Sequence, residues 1–331
     1  MTTDRQNPKP KTQNLPPGIH PITSEFGPRP FSQYLLAGER SLLVDTGINS
    51  TPADVILPWM REHGFDPARL DYVLISHADV DHCGGNAAIR EVAPDAVFMA
   101  GAADVPWIES REAILTERYG WYAEHGPDAD YDEETKGLLA GGLGPDSPID
   151  VRLVGGESIR LGPDLTVEVL ALPGHSMGHL GLWEPESKTA IVIDAVLGAG
   201  LLNMDGVVIH PPPYFDAVAY TNTIRTVQEL GPDLLLTAHY HPMEGEAAAG
   251  FLAESLGFVE RTRTAVHDLF EREGEVTLAG ALAALADELG PFTSFPNELA
   301  GPLRYHLNEL VTEERATYET GGAVPRWVRT G

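Results

Sequence analysis

The chain has 331 residues, 43% hydrophobic and 21% charged, a composition that excludes wholesale disorder and predicts one large globular domain with a smaller appendage. The formal net charge of −27 disfavours nucleic acid and anionic membranes as partners, because like charges repel at long range. The sequence lacks both a run of about 20 apolar residues and a second cysteine, so a soluble cytoplasmic protein is expected.

The first part of the chain has the rhythm of an α/β domain. Residues 1–18 are polar and proline-rich, and we expect them to form a disordered tail. Short apolar, strand-like runs then alternate with helical patterns. They lie at 34–37, 41–47 and 71–76, with a helical stretch near 52–63. This alternation predicts a domain over residues 19–250.

Residues 102–150 interrupt this rhythm with aromatic and acidic residues and end in a glycine-rich stretch. We interpret the segment as an insertion. In a soluble protein, an insertion rich in Trp and Tyr is expected to pack these side chains against apolar surface. The composition therefore predicts a partly helical lid whose Trp107, Trp121 and Tyr122 line the mouth of a pocket.

The chain changes character after residue 250. Strand-like runs and a helix near 216–230 complete the α/β pattern before that point. Three helical patterns follow, near 251–271, 277–289 and 297–311. With a final turn-containing segment they predict a helical, winged-helix-like domain over 251–331. Only Arg304 is basic in the third helix. This favours a role for the domain in packing or homodimerisation over recognition of nucleic acid.

Four side chains that can bind a metal occur within six residues of the run SHADVDHCGGN at 76–86. They are His77, Asp79, Asp81 and His82. The run follows an apolar strand and precedes a helical pattern, so it lies on a loop at the carboxyl end of a strand, where open sites form. With 12 histidines in 331 residues, this density is not expected by chance.

Three further candidate ligands follow at predicted strand ends, His175, Asp194 and His239. Each alone is more often a turn residue or a local hydrogen-bonding group. Together with the first four they form an ordered set of seven that predicts a metal site. His241 is an alternative to His239, although strand alternation favours His239.

The ordered set resembles the pattern of the metallo-β-lactamase superfamily, HxHxDH followed by a distant His, an Asp and a His. VDTG at 44–47 is similar to the family's early turn, DHCGGN at 81–86 to its DHxGGN, and PGHSMGH at 173–179 to its PGHTPGH form. The resemblance covers about residues 19–250. It implies a four-layer αββα sandwich carrying the small helical C-terminal domain.

The resemblance also implies a dinuclear site holding two divalent metal ions, with zinc favoured and manganese or iron as alternatives. The first ion would be held by His77, Asp79 and His175, and the second by Asp81, His82 and His239, with Asp194 bridging them. Asp81 would also be catalytic, by steering protons. Asp79 stands where the commonest pattern has His, which makes the site harder and more anionic and leaves the metal open.

Five other residues near the motifs bear on this assignment. Ile193 and Ala238 stand where the family often has Gly, and neither change removes a ligand. Ser176 and His179 share a loop with His175, and we expect them to support the ligands rather than contact substrate. Cys83 is expected to be buried and inert.

The function that the resemblance implies is a hydrolase acting on a small-molecule substrate. Its metal-bound hydroxide would attack an ester, thioester, lactone, lactam or phosphoester. Two alternatives stay open. One is an iron-dependent redox enzyme of the same fold, against which the lack of a recognisable electron-carrier segment counts. The other is a non-catalytic metal-binding regulatory module.

Overall fold

The computed structural model describes residues 15–330, so most of the predicted tail at 1–18 lies outside the described residues. The strands are β1 (Ile19–Phe26), β2 (Arg29–Ala37), β3 (Ser41–Val44), β4 (Tyr72–Ile75), β5 (Val97–Gly101), β6 (Val151–Leu153), β7 (Ser158–Gly162), β8 (Leu165–Ala171), β9 (Leu180–Glu184), β10 (Thr189–Ile191), β11 (Leu201–Leu202), β12 (Val208–His210), β13 (Leu234–Leu236), β14 (Met243–Glu244), β15 (Glu275–Thr277), β16 (Ala316–Glu319) and β17 (Arg326–Arg329). The α-helices are α1 (Leu57–Glu62), α2 (Val80–Cys83), α3 (Asn86–Val92), α4 (Val105–Ile108), α5 (Arg111–Ala113), α6 (Glu133–Gly142), α7 (Ala217–Leu230), α8 (Gly245–Glu273), α9 (Leu278–Leu289) and α10 (Ala300–Thr312). Segments of π-helix lie at Pro52–Ile56 and Ile114–Arg118, and 3-10 helices at Pro67–Arg69, Trp121–His125 and Pro296–Leu299.

Two six-stranded sheets form the centre of the molecule. The first has the strand order β1-β2-β3-β4-β5-β6, antiparallel across β1, β2 and β3 and parallel from β3 to β6. The second has the order β14-β13-β10-β9-β8-β7, in which only β10 and β13 run parallel. Each sheet is therefore mixed, as an alternation of hairpins and helical crossovers requires.

Alternate side chains of each strand lie in different layers of the core, because successive side chains point to opposite faces of a sheet. In β3, Leu42 and Val44 belong to the core between the sheets, whereas Leu43 belongs to the core beneath the helices. Helices α1 and α3 contribute to that outer core, and α7 covers the second sheet through residues such as Ile224. The predicted four-layer αββα sandwich is confirmed.

The C-terminal residues form the predicted three helices and hairpin. Helix α8 already starts at Gly245, so the predicted boundary after residue 250 falls inside it. It ends at Glu273, and the following Gly274 has a φ of 73°, in the left-handed region that glycine adopts readily at a helix end. Strands β15, β17 and β16 form a small antiparallel sheet.

These C-terminal helices share one continuous hydrophobic cluster with the outer layers of the sandwich. Phe258 and Phe270 of α8 belong to the same cluster as Tyr220 and Val227 of α7. None of the helices within residues 15–330 combines the length and apolar character needed to cross a membrane.

The shared cluster predicts that damage in α8 destabilises the molecule. Phe258 is fully buried, and Phe258→Ala should lower the free energy of unfolding by about 3–5 kcal/mol, since it removes buried area and leaves a cavity. Val218, 58% exposed on α7, provides the control, and Val218→Ala should change the value by no more than about 0.5 kcal/mol. Urea unfolding followed by circular dichroism measures both; equal effects would contradict the shared core.

Candidate metal centre

The seven predicted ligands lie directly after four strands that belong to both sheets. His77 and Asp79 follow β4 on a loop, and the single turn α2 carries Asp81 and His82. The remaining three side chains follow β8, β10 and β13. They are His175, Asp194 and His239. The two sheets thus bring together side chains that are up to 162 positions apart in the sequence (239 − 77).

These side chains converge into groups small enough to hold metal ions. In each group the ligand atoms lie within 4.8 Å of one another. The groups are His77, Asp79 and His175; His77, His82 and Asp194; and Asp81, His82 and His239. The first and third match the two predicted ligand sets, and Asp194 lies between them. His241, by contrast, is exposed at the surface.

Every imidazole of the centre is oriented through its Nδ1 atom. Nδ1 of His175 lies 2.8 Å from the Pro213 carbonyl oxygen, and that of His239 lies 3.1 Å from the Pro30 carbonyl oxygen. Nδ1 of His82 lies 2.8 Å from Asp45, and that of His77 lies 2.9 Å from the Ser76 hydroxyl. Such contacts hold the proton on Nδ1, which leaves the Nε2 lone pairs directed at the centre.

The atoms that face the centre have the character of a metal site. Among the described residues, Nε2 of His77, Nε2 of His82 and Oδ1 of Asp194 are buried without a hydrogen-bond partner. Burying polar atoms in this state is costly unless a ligand satisfies them. Imidazoles together with carboxylates suit zinc, manganese and iron, so the residues fit a pair of divalent cations.

The carboxylates separate the centre into two chemically similar halves. Oδ2 of Asp79 lies 3.2 Å from Nε2 of His175 and 3.6 Å from Nε2 of His77. Oδ2 of Asp194 lies 3.3 Å from Nε2 of His239 and 3.5 Å from Nε2 of His82. Because Asp79 stands where His is common, each predicted ligand set has two imidazoles and one carboxylate of its own. That carboxylate is Asp79 in the first set and Asp81 in the second, and Asp194 is shared.

Burial and mutual charge control protonation at the centre. Burial disfavours the charged forms of Asp79 and Asp194, yet Arg118 and His175 hold the pKa of Asp79 well below its usual range. His239 and His82 do the same for the pKa of Asp194. Burial likewise opposes the charged form of His82, but Asp194 and Asp45 raise its pKa well above the usual value. Asp79 and Asp194 are therefore ionised and available as ligands.

Asp79 is also the end of a buried ion-pair chain that reaches the C-terminal helices. Nη2 of Arg118 lies 2.8 Å from Oδ1 of Asp79 and 3.8 Å from Glu298, and it is 3% exposed. Glu298 accepts hydrogen bonds from the hydroxyl groups of Tyr122, at 2.9 Å, and Tyr131. Nη2 of Arg118 thus lies beside both oxygens of Asp79 and donates a hydrogen bond at 3.1 Å to Oδ2, the oxygen that also faces His77 and His175.

Two residues beside the centre adopt left-handed backbone conformations. Asp45 has a φ of 64° and accepts hydrogen bonds from the Ser76 amide and hydroxyl, each at 2.8 Å, as well as from His82. Ile193, just before Asp194, has a φ of 50°, which is strained for a β-branched residue. Strain of this kind persists only where surrounding packing enforces it, and Ile193 is fully buried.

The centre forms the floor of a cavity of about 540 Å³, a size suited to a small molecule. Ile48, Leu138, Leu139 and Phe295 line its walls, together with Tyr119. The insertion thus contributes a wall, as predicted.

The prediction that Trp107, Trp121 and Tyr122 line the mouth is wrong. Trp121 stacks on Tyr122, with ring centroids 4.0 Å apart, and Arg304 lies over the Trp121 ring. Trp107 donates a hydrogen bond to Glu117 at 2.9 Å. These three aromatic side chains pack against other parts of the protein, and Tyr119 of the insertion lines the cavity instead.

Ser176 and His179, the two residues expected to support the ligands, contact Asp104 and His77. Ser176 donates a hydrogen bond to Asp104, and the ring of His179 stacks on His77 with centroids 4.7 Å apart. Both are buried. Cys83 is buried as expected, and burial, together with nearby carboxylates such as Asp79, raises the pKa of its thiol well above the usual value.

Sequence reasoning did not single out Asp45, Arg118 or Glu298 as parts of the site. Asp45 had a signal, since it follows a strand in the VDTG turn that resembles the family's early turn. The others had none. Arg118 lies in the insertion and Glu298 in the C-terminal part, where nothing in the local sequence relates them to the ligand loop.

Comparison with known proteins gives three kinds of match. The sequence profile of the metallo-beta-lactamase superfamily matches residues 27–239. A protein of Bacillus subtilis named "Probable metallo-hydrolase YflN" is 27% identical over 256 residues, which are 72% of this chain and 89% of that protein. A flavo-diiron protein of Clostridium acetobutylicum is 32% identical over 82 residues, but these are only 25% of this chain and 20% of that protein.

Among solved structures, the fold is similar to that of a metallo-beta-lactamase family protein from Thermus thermophilus. The TM-score is 0.69 at 19% sequence identity, and the match covers 95% of this chain and 99% of the other. At that identity the likeness concerns the fold alone. It includes the C-terminal helices as well as the sandwich.

We predict that Asp79 binds metal directly. Asp79→Ala should bind roughly one equivalent of metal fewer per chain, because the first half of the centre loses its only unshared carboxylate. Elemental analysis of the desalted protein measures the metal content, with Asp54→Ala as a control at an exposed position. Full metal content in Asp79→Ala would remove this residue from the ligand set.

We also predict that Arg118 compensates buried charge when metal is removed. In chelator-treated protein, Arg118→Met should cost about 3–5 kcal/mol of unfolding free energy, since it leaves Asp79 and Glu298 without their cation. Added metal should restore part of that loss by placing a cation beside Asp79. Urea unfolding with and without metal measures both effects. The matched control is Arg61→Met at an exposed site; an equal loss there would refute the role of Arg118.

Proposed function

The chain belongs to the metallo-β-lactamase superfamily, and from this membership we propose that it is a metal-dependent hydrolase acting on a small molecule. One observation carries the proposal. Four imidazoles, each oriented through Nδ1, and three carboxylates converge on the floor of a cavity of molecular size. A structural metal needs only a closed shell of four ligands, whereas this set is larger and opens onto the cavity.

A pair of divalent cations would supply Lewis acidity there and lower the pKa of a shared water towards neutrality. The protein's own part begins with orientation, because the Nδ1 contacts fix each imidazole before substrate arrives. Asp81 lines the cavity, and its two oxygens lie 3.9 Å from Nε2 of His82 and 3.8 Å from Nε2 of His239. We assign Asp81 to accept the proton of the attacking water and return it to the leaving group.

Tyr119 is suited to stabilise charge that develops on the substrate. Its hydroxyl oxygen accepts a hydrogen bond from the Val80 amide at 3.1 Å, so its own proton is available for donation. Burial and the nearby carboxylate of Asp79 raise the pKa of Tyr119 well above the usual value, which keeps that proton in place. Tyr119 lines the cavity, and such a donor can bind the oxygen of a scissile carbonyl or phosphoryl group.

The reacting bond can be that of an ester, thioester, lactone, lactam or phosphoester. We propose two cations, with zinc favoured; the carboxylate of Asp79 also admits manganese or iron. A single cysteine fits a reducing compartment, so we place the activity in the cytoplasm.

The second candidate function is iron-dependent redox chemistry. The local similarity to a flavo-diiron protein and the two-imidazole, one-carboxylate halves favour iron. Redox turnover also needs an electron source. From residue 245 on, the described residues form three α-helices, a short 3-10 helix and a small antiparallel sheet, not the parallel doubly wound sheet of a flavodoxin-like carrier.

The deciding experiment is an anaerobic screen of the metal-loaded protein against lactones, thioesters, phosphodiesters and β-lactams. We expect hydrolysis without oxygen or reductant, and a loss of roughly 100-fold or more in His239→Ala, which weakens the second half of the centre. His241→Ala, an exposed neighbour, serves as the control. Oxygen consumption coupled to product, with no anaerobic hydrolysis, would instead support the redox function.

A further inference from the structure

A buried histidine outside the predicted ligand set lines the cavity. His210 is the last residue of β12, is 6% exposed and lies among the residues that form the cavity. It pairs with Leu201 of β11, which lines the same cavity. The ring centroid of His210 lies 5.7 Å from that of Phe295, a third lining residue. No step of the proposed hydrolysis uses this imidazole.

The backbone around His210 is held by two neighbouring segments. The Ser294 amide donates a hydrogen bond to the carbonyl oxygen of Ile209 at 2.8 Å. Gly200 approaches so closely that a Cβ atom there would lie 2.4 Å from the His210 carbonyl oxygen. These contacts leave β12 little freedom, so the position of the imidazole is set before a substrate binds.

One hydrogen bond fixes which ring nitrogen of His210 carries the proton. Nδ1 lies 2.6 Å from the Pro211 carbonyl oxygen. Because a carbonyl oxygen only accepts, Nδ1 holds the proton, and Nε2 of the neutral ring has the lone pair. Burial and the positive charge of Arg29 lower the pKa of His210 well below its usual value, which keeps the ring neutral. Smaller effects of His239 and Asp194 on the same pKa place the ring within electrostatic range of the second half of the centre.

The Nε2 lone pair of His210 is open to a bound molecule. Within residues 15–330, no residue forms a hydrogen bond with this atom. Nε2 of His77 and Nε2 of His82 are enclosed by protein, whereas Nε2 of His210 keeps accessible surface, and its ring lines the cavity. A molecule in the cavity can therefore reach this atom.

The surroundings of His210 decide which group can use the lone pair. Leu201 and Phe295 are apolar, and a molecule packed against them gives up contact with water. A donor on that molecule then needs a partner, which Nε2 supplies, whereas a molecule without a donor leaves Nε2 unpaired. Because the ring is neutral, it selects for a hydrogen bond and not for a charge.

We propose that Nε2 of His210 accepts a hydrogen bond from a neutral O–H or N–H group of the substrate and so determines substrate specificity. The proposal rests on the proposed hydrolytic function. It narrows the substrate class to molecules that carry such a donor beside an apolar group, which packs against Leu201 and Phe295.

Two matched pairs of probes that cannot be hydrolysed test this contact. 3-Phenylpropan-1-ol and indole each have an apolar ring and one neutral donor, whereas methyl 3-phenylpropyl ether and 1-methylindole lack the donor. Isothermal titration of the metal-loaded protein should show a donor probe binding about five- to tenfold more tightly than its methylated counterpart, as expected for a neutral hydrogen bond. The pair that shows the preference identifies the donor as O–H or N–H. Equal affinities within both pairs, or no binding of any probe, would overturn the proposal.

Variants show whether His210 is the acceptor. His210→Phe keeps an aromatic ring but has no nitrogen, so it should abolish the preference for the donor probe. The affinity for the methylated probe should stay unchanged, which also shows that the cavity has kept its shape. Ser294→Ala is the matched control, because it removes another neutral polar group from the cavity lining and should keep the preference. A preference that persists in His210→Phe would refute the role of His210.

Nitrogen-15 NMR of the unaltered protein provides a test that does not depend on the folding of a variant. With labelled histidine, His210 should be neutral at pH 7 with its proton on Nδ1. The donor probe should shift the Nε2 signal, and its methylated counterpart should not. A charged ring, or a proton on Nε2, would also contradict the proposal.

The titrations do not depend on turnover, so the two proposals fail separately. If the protein hydrolyses nothing in the anaerobic screen but prefers a donor probe through His210, the hydrolase function is wrong and the specificity contact stands. If it hydrolyses esters while His210→Phe leaves the preference between probes unchanged, the hydrolase function stands and the specificity contact is wrong.

Discussion

Gathering three carboxylates around one centre, two of them buried, is the constraint on which the rest of this structure depends. Asp79, Asp81 and Asp194 repel each other in a medium that solvates charge poorly, so each needs a positive or proton-donating neighbour. His82 and His239 serve Asp194, while Arg118 serves Asp79. The Nδ1 contacts of the imidazoles follow from the same constraint, because a ring that turned would leave a carboxylate without its neighbour.

Much of the fold could be predicted from the sequence because its signals are local. Apolar runs such as DYVLIS report a buried strand through their own residues, and the alternation in β3 separates the two core layers. The candidate ligands could be singled out for a similar reason, since all seven directly follow strands and the dense SHADVDH run is unusual in itself. The structure places these seven side chains together; whether they bind metal stays a prediction.

The charges around the ligands could not be predicted, because they depend on contacts between distant segments. Arg118 is 39 residues from Asp79 and Glu298 is 176 residues from Tyr122, and such pairings leave no periodic trace in a single sequence. The aromatic insertion misled for a related reason. Its composition indicated that the Trp and Tyr side chains must pack against other groups. Trp121, however, packs beneath Arg304 of α10 rather than at the cavity. Composition indicates that aromatic side chains need packing partners, but it does not identify those partners.

The ion-pair chain through Glu298 also sets an order of events during synthesis of the protein. The last candidate ligand, His239, leaves the ribosome 59 residues before Glu298 (298 − 239). At about 5–20 residues per second, this interval lasts roughly 3–12 s. During that time the nascent chain holds all seven donors while Arg118 still lacks its second carboxylate and one wall of the cavity is missing. A metal ion that arrived in this interval would meet a more open and less restrained centre than the finished protein presents.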